Sequence, residues 1–415
     1  MRHEVEPIGR HGHRVLPALF LIFGAACAGD GGQGDAPSTT VGDSAGIEIV
    51  ESTRPLWSDS DGWRVESAPV LDLSASGAGP NHEFFQVRGM RRLSDGSLAV
   101  ANGSSNEVRL YSADGSHTAS LGGEGDGPGE FRAIVGFDNA GDSLIVLDAN
   151  GRVTFFAPDL ALLGTFSVPL PSGVIAESNA VAHLGNGEIV VETRTRFMFG
   201  YEGESAILRQ PGGLFRVDAA GESADSIGVT AGNEVFMHVS SGGGAFAGPP
   251  LFGRDAFVAT HAGRILLGDA IDMQVEEWTA DGAPARILRI PGYSLELSAD
   301  AFEREREALM PEDPTEVRPM NLEFLQDMPV PDRRPAYADM KVDPTGAIWL
   351  RPFLAPNERD GPETWQVLGP DGAWLGGVEI PADLSVMQIG MDFVLGVYRD
   401  ELDVEHPRVL DLDRN

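Results

Sequence analysis

The segment Leu121–Phe131, LGGEGDGPGEF, contains five glycines, one proline and three carboxylates. Loops of this composition bind phosphate, bind calcium or form tight turns. A phosphate-binding P-loop carries a lysine after its last glycine, but the single lysine of this chain is the distant Lys341. A dinucleotide-binding loop leads into a helix, but the sequence continues here as FRAIVGF, an apolar run typical of a strand. The sequence therefore disfavours a phosphate cradle.

Calcium binding is the second chemistry that this segment suggests. Calcium-binding repeats of the GGxGxD type have aspartate in the sixth place, whereas Asp126 is in the fifth place and the motif occurs once. A divalent ion held by Glu124, Asp126 and Glu130 stays an alternative, and no cofactor is predicted. The simpler interpretation is a connection between two strands, in which glycine supplies positive φ and proline fixes φ.

Two motifs of the common catalytic classes are absent from the sequence. It contains no HExxH and no pair of cysteines. The histidines of the folded part have no spacing typical of metal ligands and are interpreted as structural; they are His82, His117, His183, His238, His261 and His406. Four tryptophans at strand positions are predicted to pack between sheets, with carbohydrate stacking as the alternative; they are Trp278, Trp349, Trp365 and Trp374.

The N-terminus has the features of an export signal. Arg2, Arg10 and Arg14 precede the apolar run VLPALFLIFGAA, which is too short to span a bilayer. Directly after it comes Cys27, the only cysteine of the chain. The stretch GAAC resembles a bacterial lipobox, which implies lipidation of Cys27; the alternative is an ordinary signal peptide and a free cysteine. The next residue is Ala28 rather than aspartate, which by analogy with enteric lipoproteins implies an anchor in the outer membrane of the cell envelope.

The composition limits the class of protein. The chain has 415 residues, of which 42% are apolar, 52 are glycine and 28 are proline, which suits an all-β protein with many turns. Its formal net charge of −33 disfavours nucleic acid and anionic lipid as partners. Residues 27–46 are small and polar, so we predict a flexible tether between a signal peptide at 1–26 and a folded part at 47–415.

A repeated pattern runs through the folded part. Apolar strands alternate with Asp-Gly and Asn-Gly turns, as in MRRLSDGSLAVANG and NAVAHLGNGEIVVETRT, and such turns are the strongest short signal for hairpins. The pattern occurs six times, and the last copy lacks one strand. We predict an all-β, six-bladed β-propeller of four-stranded antiparallel blades. A strand within Trp63–Leu73 would complete the last blade and close the ring, and Leu121–Phe131 would connect blades one and two.

Three stretches carry a resemblance to a known family. The junction GEGDGPGEF, the start DSAGIEIVES and the end FVLGVYRDELDVEHPRVLDL resemble the NHL-related, uncharacterised six-bladed β-propeller lipoproteins of environmental bacteria. The resemblance covers most of residues 43–412 and implies the fold, not an activity. A more distant resemblance to the gluconolactonase-like propellers, which hold a divalent metal in the channel, implies a hydrolase or lactonase as an alternative function, although no residue here matches their ligands.

Extra residues are concentrated in four segments, 196–212, 231–253, 291–334 and 352–363. In the predicted strand order each follows the second or the fourth strand of a blade, so all four emerge on the same face. Long loops on a rigid scaffold often carry function. Between blades four and five, SADAFEREREALM predicts a helix within a small insertion at about 298–334, with Asp300 and Glu303 spaced as a capping box.

Several blades begin next to an arginine on that same face. These residues are Arg88, Arg132, Arg254 and Arg334. In so acidic a chain, arginines converging at a channel mouth would form a local anion-binding site. The alternative is that they form structural ion pairs with nearby carboxylates such as Glu130, Asp255, Asp332 and Asp339. The sequence leaves enzyme activity open and favours a membrane-anchored scaffold that binds a small molecule or a protein on the face with the long loops.

Overall fold

Short strands joined by glycine-containing turns build almost the whole structure. The computed structural model describes residues 38–414 except for 59–60, 169–173, 176–180, 186, 196–200, 202, 311–318 and 360. The predicted signal peptide and Cys27 lie outside the described residues, and so does the first part of the predicted tether. The described residues belong to one compact unit that begins at Ser38.

The strands are numbered in chain order. The N-terminal ones are β1 (Thr39–Ser44), β2 (Ile47–Ser52), β3 (Arg64–Val65) and β4 (Leu71–Asp72). Next come β5 (Val87–Arg92), β6 (Leu98–Asn102), β7 (Glu107–Tyr111), β8 (His117–Gly122), β9 (Ile134–Ala140), β10 (Ser143–Asp148), β11 (Arg152–Phe156) and β12 (Leu162–Ser167). The middle of the chain forms β13 (Val174–Ile175), β14 (Val181–Gly185), β15 (Glu188–Thr195), β16 (Ala206–Arg209), β17 (Gly212–Val217), β18 (Ala224–Thr230), β19 (Glu234–Val239) and β20 (Ala245–Gly248). The last strands are β21 (Phe257–His261), β22 (Arg264–Gly268), β23 (Gln274–Thr279), β24 (Pro284–Arg289), β25 (Tyr337–Val342), β26 (Ile348–Pro352), β27 (Glu363–Leu368), β28 (Trp374–Ile380), β29 (Leu384–Ile389), β30 (Phe393–Arg399) and β31 (Glu405–Asp413).

In the described part of the chain, most strands pair antiparallel with their sequence neighbours. We number the resulting sheets 1 to 6: β5-β6-β7-β8, β9-β10-β11-β12, β14-β15-β17-β18, β21-β22-β23-β24, β25-β26-β27-β28 and β29-β30-β31. The short β13 also pairs with β15. The strands β16, β19 and β20 form a separate three-stranded insert sheet.

The first strands of these sheets contact one another in a closed series. The contacts run from β5 to β9, β14, β21, β25 and β29, and from β29 back to β5. A hydrophobic cluster lies between each two consecutive sheets, and the six clusters contain, in turn, Val108 and Leu144, Ile145 and Ile189, Val190 and Ile265, Leu266 and Ile348, Trp349 and Val394, and Leu395 and Leu98. Radially arranged, four-stranded antiparallel sheets of this kind define a β-propeller.

The burial of each strand follows from its place in the sheet. The second strands β6 and β10 are continuous apolar runs, LAVAN and SLIVLD, and almost every residue in them is buried. Neighbouring sheets cover both of their faces, so both faces must be apolar. The fourth strand β8, HTASLG, alternates between half-buried and exposed residues, because one of its faces meets solvent.

The glycine-rich segment Leu121–Phe131 connects β8 to β9, as predicted. Gly122 has φ of 93°, and a Cβ atom there would lie 2.5 Å from the ring of Phe131. Phe131 is fully buried between sheets 1 and 2. The glycines therefore let the chain pass close to a core ring. Of the three carboxylates, Asp126 bonds to the side chain of Arg132, and Glu130 accepts a bond from the Gly127 amide.

Two short N-terminal strands complete sheet 6, which confirms the predicted closing strand. β3 pairs antiparallel with β31 at Arg64 opposite Asp413, and β4 pairs with the same strand at Leu71 opposite Val409. Leu73, the residue after β4, is fully buried in the cluster between sheets 6 and 1.

The residues before the closing strand differ from the prediction. Residues 39–46 fall in the predicted tether, yet β1 pairs antiparallel with β2, and β2 pairs parallel with β24. Between β2 and β3, the amides of Leu56 and Trp57 bond to the carbonyls of Trp374 and Leu375 in β28. The N-terminal segment therefore runs along the outer strands of sheets 4, 5 and 6. The sequence TTV supplies the β-branched residues that an edge strand favours.

Candidate functional site

The long connections all leave the sheets at the same end. They join β15 to β17, β18 to β21, β24 to β25 and β26 to β27, and each therefore follows a second or a fourth strand. Turns at the opposite end, such as 93–97 and 218–223, have two to six residues. The one-face prediction thus agrees with the strand order for all four segments, although residues 196–200, 202, 311–318 and 360 are not described.

The four long connections pack together into one layer, which we call the cap. It consists of the insert sheet, the helices α1 (Ala299–Leu309) and α2 (Pro319–Gln326), and residues 249–256 and 353–358. Its aromatic core is shared by three of the connections and contains Phe236, Phe252, Phe302, Phe324, Met328 and Ala355. Ile207 from the fourth connection packs against this core. The cap is therefore a folded element rather than a set of independent loops.

The predicted helix is present, but its N-cap lies two residues earlier than predicted. Ser298 is the N-cap, and its side chain accepts a bond from the Ala301 amide. The predicted capping pair Asp300 and Glu303 lies inside the helix instead, because the side chain of Ser298 already caps the free amide of Ala301. Glu305 of the same helix is buried, and it accepts a bond from the Asn357 amide, which links α1 to the segment after β26.

A cavity of about 480 Å³ lies along the first strands. We call it the channel cavity. β5, β9, β21, β25 and β29 contribute to it, as do β15, β26 and residues 233, 255 and 256 of the cap. Its charged lining residues are Arg88, Arg91, Lys341, Arg351, Glu192, Asp255 and Asp339. The wall is thus polar, and it is built by strands from several sheets.

Three of the cations in the channel cavity are held by carboxylates. Lys341 lies 2.6 Å from Asp339 two residues earlier on β25, and Arg91 lies 3.1 Å from Asp138 on β9. Arg351 likewise bonds to Glu363 on the neighbouring strand, at 2.6 Å. The sequence prediction did not include these residues, although Lys341 is the single lysine of the chain.

Arg91 does more than pair with one carboxylate. Its guanidinium also donates to the backbone oxygens of Phe137 in sheet 2 and Met387 in sheet 6. The other oxygen of Asp138 accepts a bond from the His183 amide in sheet 3, at 3.0 Å. Arg91 and Asp138 together therefore tie the first strands of four sheets at the channel wall, which keeps the wall rigid.

Of the four predicted arginines, Arg88 lines the channel cavity. Among the described residues, its guanidinium bonds only to the neutral Gln86 side chain, at 3.2 Å. Arg132 bonds to Asp126, Arg254 lies 3.5 Å from Glu234, and Arg334 bonds to Glu358 at 2.9 Å.

The pKa values around these pairs agree with the geometry. The hydrogen bond with Arg132 holds the pKa of Asp126 below its usual value, and the same bond raises the pKa of Arg132. Burial raises the pKa of Glu358, but the bonds from Arg334 and from the Ala355 amide outweigh it and leave that pKa lowered. Both arginines are thus engaged by ionised carboxylates.

The tryptophans pack between sheets, as predicted. Trp349 and Trp365 are fully buried between sheets 5 and 6, Trp374 packs between sheets 4 and 5, and Trp278 between sheets 3 and 4. Most of the histidines also have structural partners. Examples are His82, which bonds to the Leu73 carbonyl, and His406, which bonds to Ser74.

Within the described residues, no group of three or more His, Cys, Asp or Glu side chains is arranged to hold a metal ion. Neither of the two helices described is long and apolar enough to cross a bilayer.

Comparisons with known proteins find similarity only in the fold. No protein-family model matches it, and no curated protein matches its sequence. A putative exported protein from Bacteroides fragilis is 10% identical with a TM-score of 0.49, and the match covers 88% of this chain and 99% of that one. A member of the DUF4221 family from Bacteroides vulgatus is 9% identical with a TM-score of 0.49, over 86% of this chain and 100% of that one. Virginiamycin B lyase from Staphylococcus aureus is 10% identical with a TM-score of 0.41, over 85% and 99%. Similarity at this level assigns neither an activity nor a ligand.

Proposed function

We propose that this protein is a six-bladed β-propeller lipoprotein of the bacterial cell envelope that binds a small anionic molecule in its channel cavity. The blade count is supported by the closed series of first-strand contacts and by the hydrophobic cluster between each two consecutive sheets. The observation that carries the ligand proposal is the position of Arg88 in the wall of that cavity without a carboxylate partner among the described residues.

The negative charge proposed for the ligand follows from the absence of a carboxylate partner for Arg88 among the described residues. The other cations of the cavity wall, Arg91, Lys341 and Arg351, are each neutralised by a carboxylate at 3.1 Å or less. Gln86 offers Arg88 one neutral oxygen, which leaves most of its N–H groups for another acceptor. A carboxylate or phosphate group fits the planar fork of a guanidinium and forms stronger bonds than a neutral acceptor.

The surroundings favour a small and polar ligand. A cavity of about 480 Å³ lies in the range of small-molecule sites. The long-range field of a chain with net charge −33 repels anions. An anion is therefore held only where a local cation attracts it directly, and Arg88, an exposed side chain of the cavity wall, offers such a cation.

Recognition of the ligand would use the charged wall on the other strands as well. Lys341 and Asp339 lie two residues apart on one strand and so point into the cavity together. A ligand anion that approaches Lys341 competes with Asp339 for the same ammonium group. Selectivity would therefore come from whether the ligand's shape lets its anion reach Arg88 without displacing an existing pair.

The single lysine gives a direct test of ligand binding. An amine-reactive acylating reagent can modify only Lys341 and the N-terminal amine of the mature chain. A small carboxylate or phosphate bound in the channel cavity at ten times its Kd should slow acylation of Lys341 by about tenfold, while the N-terminal amine serves as the internal control. A panel of such compounds that leaves the Lys341 rate unchanged, although Lys341 reacts, would count against the channel site.

The lipid anchor rests on the sequence, because Cys27 lies outside the described residues. It is the only cysteine of the chain and follows an apolar run, which supports lipidation and export. Replacement of Cys27 by serine should move the protein from the membrane pellet to the soluble fraction. A Cys27→Ser variant that still sediments with membranes would contradict the anchor, and it would leave the channel site untouched.

A further inference from the structure

His238 occupies an unusual position in the cap. It lies on β19 and is fully buried, with Phe236 and Phe324 around its ring at centroid distances of 6.0 and 6.3 Å. Neither ring nitrogen has a hydrogen-bond partner within the described structure. Burial of an imidazole without a hydrogen-bond partner costs free energy, so nearby groups must compensate for that cost in another way.

One carboxylate lies near each nitrogen of the ring. Nε2 lies 3.7 Å from Glu323 Oε2, and Nδ1 lies 3.7 Å from Asp327 Oδ2. Glu323 is in α2, and Asp327 directly follows it, so the two side chains are four residues apart along the helical turns. Each carboxylate faces a different nitrogen, which rules out a single ion held by all three groups and points to protons instead.

The protonation state of the His238 ring determines whether its contacts with Glu323 and Asp327 are attractive or repulsive. A neutral imidazole has one N–H group and one lone pair. Whichever tautomer forms, the lone pair faces a carboxylate oxygen, and that contact is repulsive. An imidazolium ion has two N–H groups and can donate to both carboxylates. Each contact is about 0.8 Å longer than an ordinary hydrogen bond, and rotation of the two carboxylate side chains towards the ring would close that gap.

We infer that His238, Glu323 and Asp327 form a proton-operated latch that holds α2 and the insert sheet together, and that the cap loosens as the pH rises through the range in which histidine loses its proton. Protonation adds favourable contacts only in the docked state. The docked cap therefore binds more protons than the undocked one, and docking strengthens as pH falls. We call these three residues the histidine latch.

No other cation among the described residues takes the place of the His238 ring beside Glu323 and Asp327. Glu323 also accepts bonds from the backbone and side chain of Ser241, both at 3.2 Å. From α1, Arg306 donates to the Gln326 carbonyl and pairs with Glu303. Within the described residues, the latch carboxylates have no cation as near as His238. The two acidic side chains are 34% and 59% exposed, so they can turn to water when the ring is neutral.

The latch connects to the channel through two short paths. β19 begins at Glu234, next to Asn233, which lines the channel cavity. Met328, just after the latch, accepts a bond from the Leu251 amide at 3.0 Å, and the chain continues from there to Asp255 in the cavity wall. Loosening of α2 would thus free the two segments that lead to the channel cavity. The latch itself is independent of the proposed ligand and can be tested without it.

Amide hydrogen exchange of the mature chain tests the latch. Protection factors, corrected for the intrinsic effect of pH, should be about tenfold higher at pH 5.5 than at pH 8 in residues 234–248 and 319–328. Protection in sheets 1 and 2 should be equal at the two pH values. Equal protection of the cap at both pH values would overturn the proposal.

Two variants keep the test decisive. His238→Phe retains an aromatic ring beside Phe324 and removes the proton, so the pH dependence of cap protection should disappear. Asp327→Asn changes an exposed side chain, should fold normally, and should reduce the pH dependence by several fold. His406→Phe is the matched control, because His406 also lies between two aspartates but in sheet 6; it should leave the cap unchanged. Persistence of the full pH dependence in both latch variants would refute the latch.

Discussion

Closure of the ring by the N-terminal segment can be tested at Leu73. This side chain is fully buried between sheets 6 and 1, among residues that include Phe84, Met90 and Leu395. Leu73→Ala removes three buried carbon atoms, which corresponds to about 2.4 kcal/mol of transfer free energy. The cavity left behind adds to this, because β-strands on both sides cannot close in without breaking their pairing, and the expected loss is about 3–4 kcal/mol.

The loss translates into a modest but measurable change in melting temperature. With an unfolding entropy of about 2.1 cal/mol/K per residue, a domain of this size should melt about 4–5 °C lower for that loss of free energy. Differential scanning calorimetry of the wild type and Leu73→Ala measures the shift. The control is Val70→Ala, three residues earlier on the same segment, since Val70 is 58% exposed and its truncation should change the melting temperature by less than about 1 °C. Equal melting temperatures for the two variants would refute the assignment of this segment to ring closure.

Three further predictions concern individual contacts. Arg414→Met should destabilise the protein by about 3 kcal/mol in calorimetry, because Arg414 pairs at 2.9 Å with Asp343, whose side chain is fully buried, and removal of one partner of a buried ion pair is costly; stability equal to the wild type would contradict this. Burial raises the pKa of Asp72, but bonds from Ser74 and Arg408 outweigh it and leave the pKa lowered. The stabilisation is therefore present above the unfolded pKa of about 3.9 and is lost as pH falls through the folded value, so the melting temperature of Asp72→Asn should lie below that of the wild type at pH 7 and approach it below about pH 4; a constant difference would argue against the pairing. Phe302→Ala should lower hydrogen-exchange protection in the cap by at least about tenfold and leave sheets 1 and 2 unchanged, since Phe302 is fully buried in the cap core; a uniform loss across the chain would show that the cap does not have a core of its own.

The repeated strands could be predicted because their signals are local. Asp-Gly turns between apolar runs define hairpins within a few residues, and continuous apolar runs such as SLIVLD mark strands covered on both faces. The closing strand could be predicted because the Gly-Pro turn that follows it resembles the one between β8 and β9. These features depend on residues that are close together in the chain, so they can be predicted from a single sequence.

The features that were missed depend on distant residues. β2 pairs with β24, where Arg286 bonds to Glu48 from 238 positions away, and nothing in the sequence near Thr39 signals that partner. The cap core likewise forms only when separate connections meet. Its aromatic residues are spread over separate connections, with too few in each to reveal a helical or strand period.

The candidate site shows the same division. The sequence indicated the face from which the long connections emerge, because insertion lengths and strand order can be read from it. It did not indicate which arginine would remain without a carboxylate. The partners of Arg254 and Arg334 lie 20 and 24 residues away in the chain, and Arg91 meets Asp138 from the next sheet. Such pairs follow from the packing of the sheets around the channel.

Isothermal titration calorimetry on Arg88→Met tests the proposed channel site most directly. The titrants are small carboxylates and phosphates, and Arg132→Met is the matched control because Arg132 already bonds to Asp126. We expect that at least one compound binds the wild type, that its affinity falls about ten- to a hundredfold in Arg88→Met through loss of a charged hydrogen bond, and that Arg132→Met binds it as the wild type does. Binding that is equally strong in Arg88→Met and the wild type would contradict the proposed channel site.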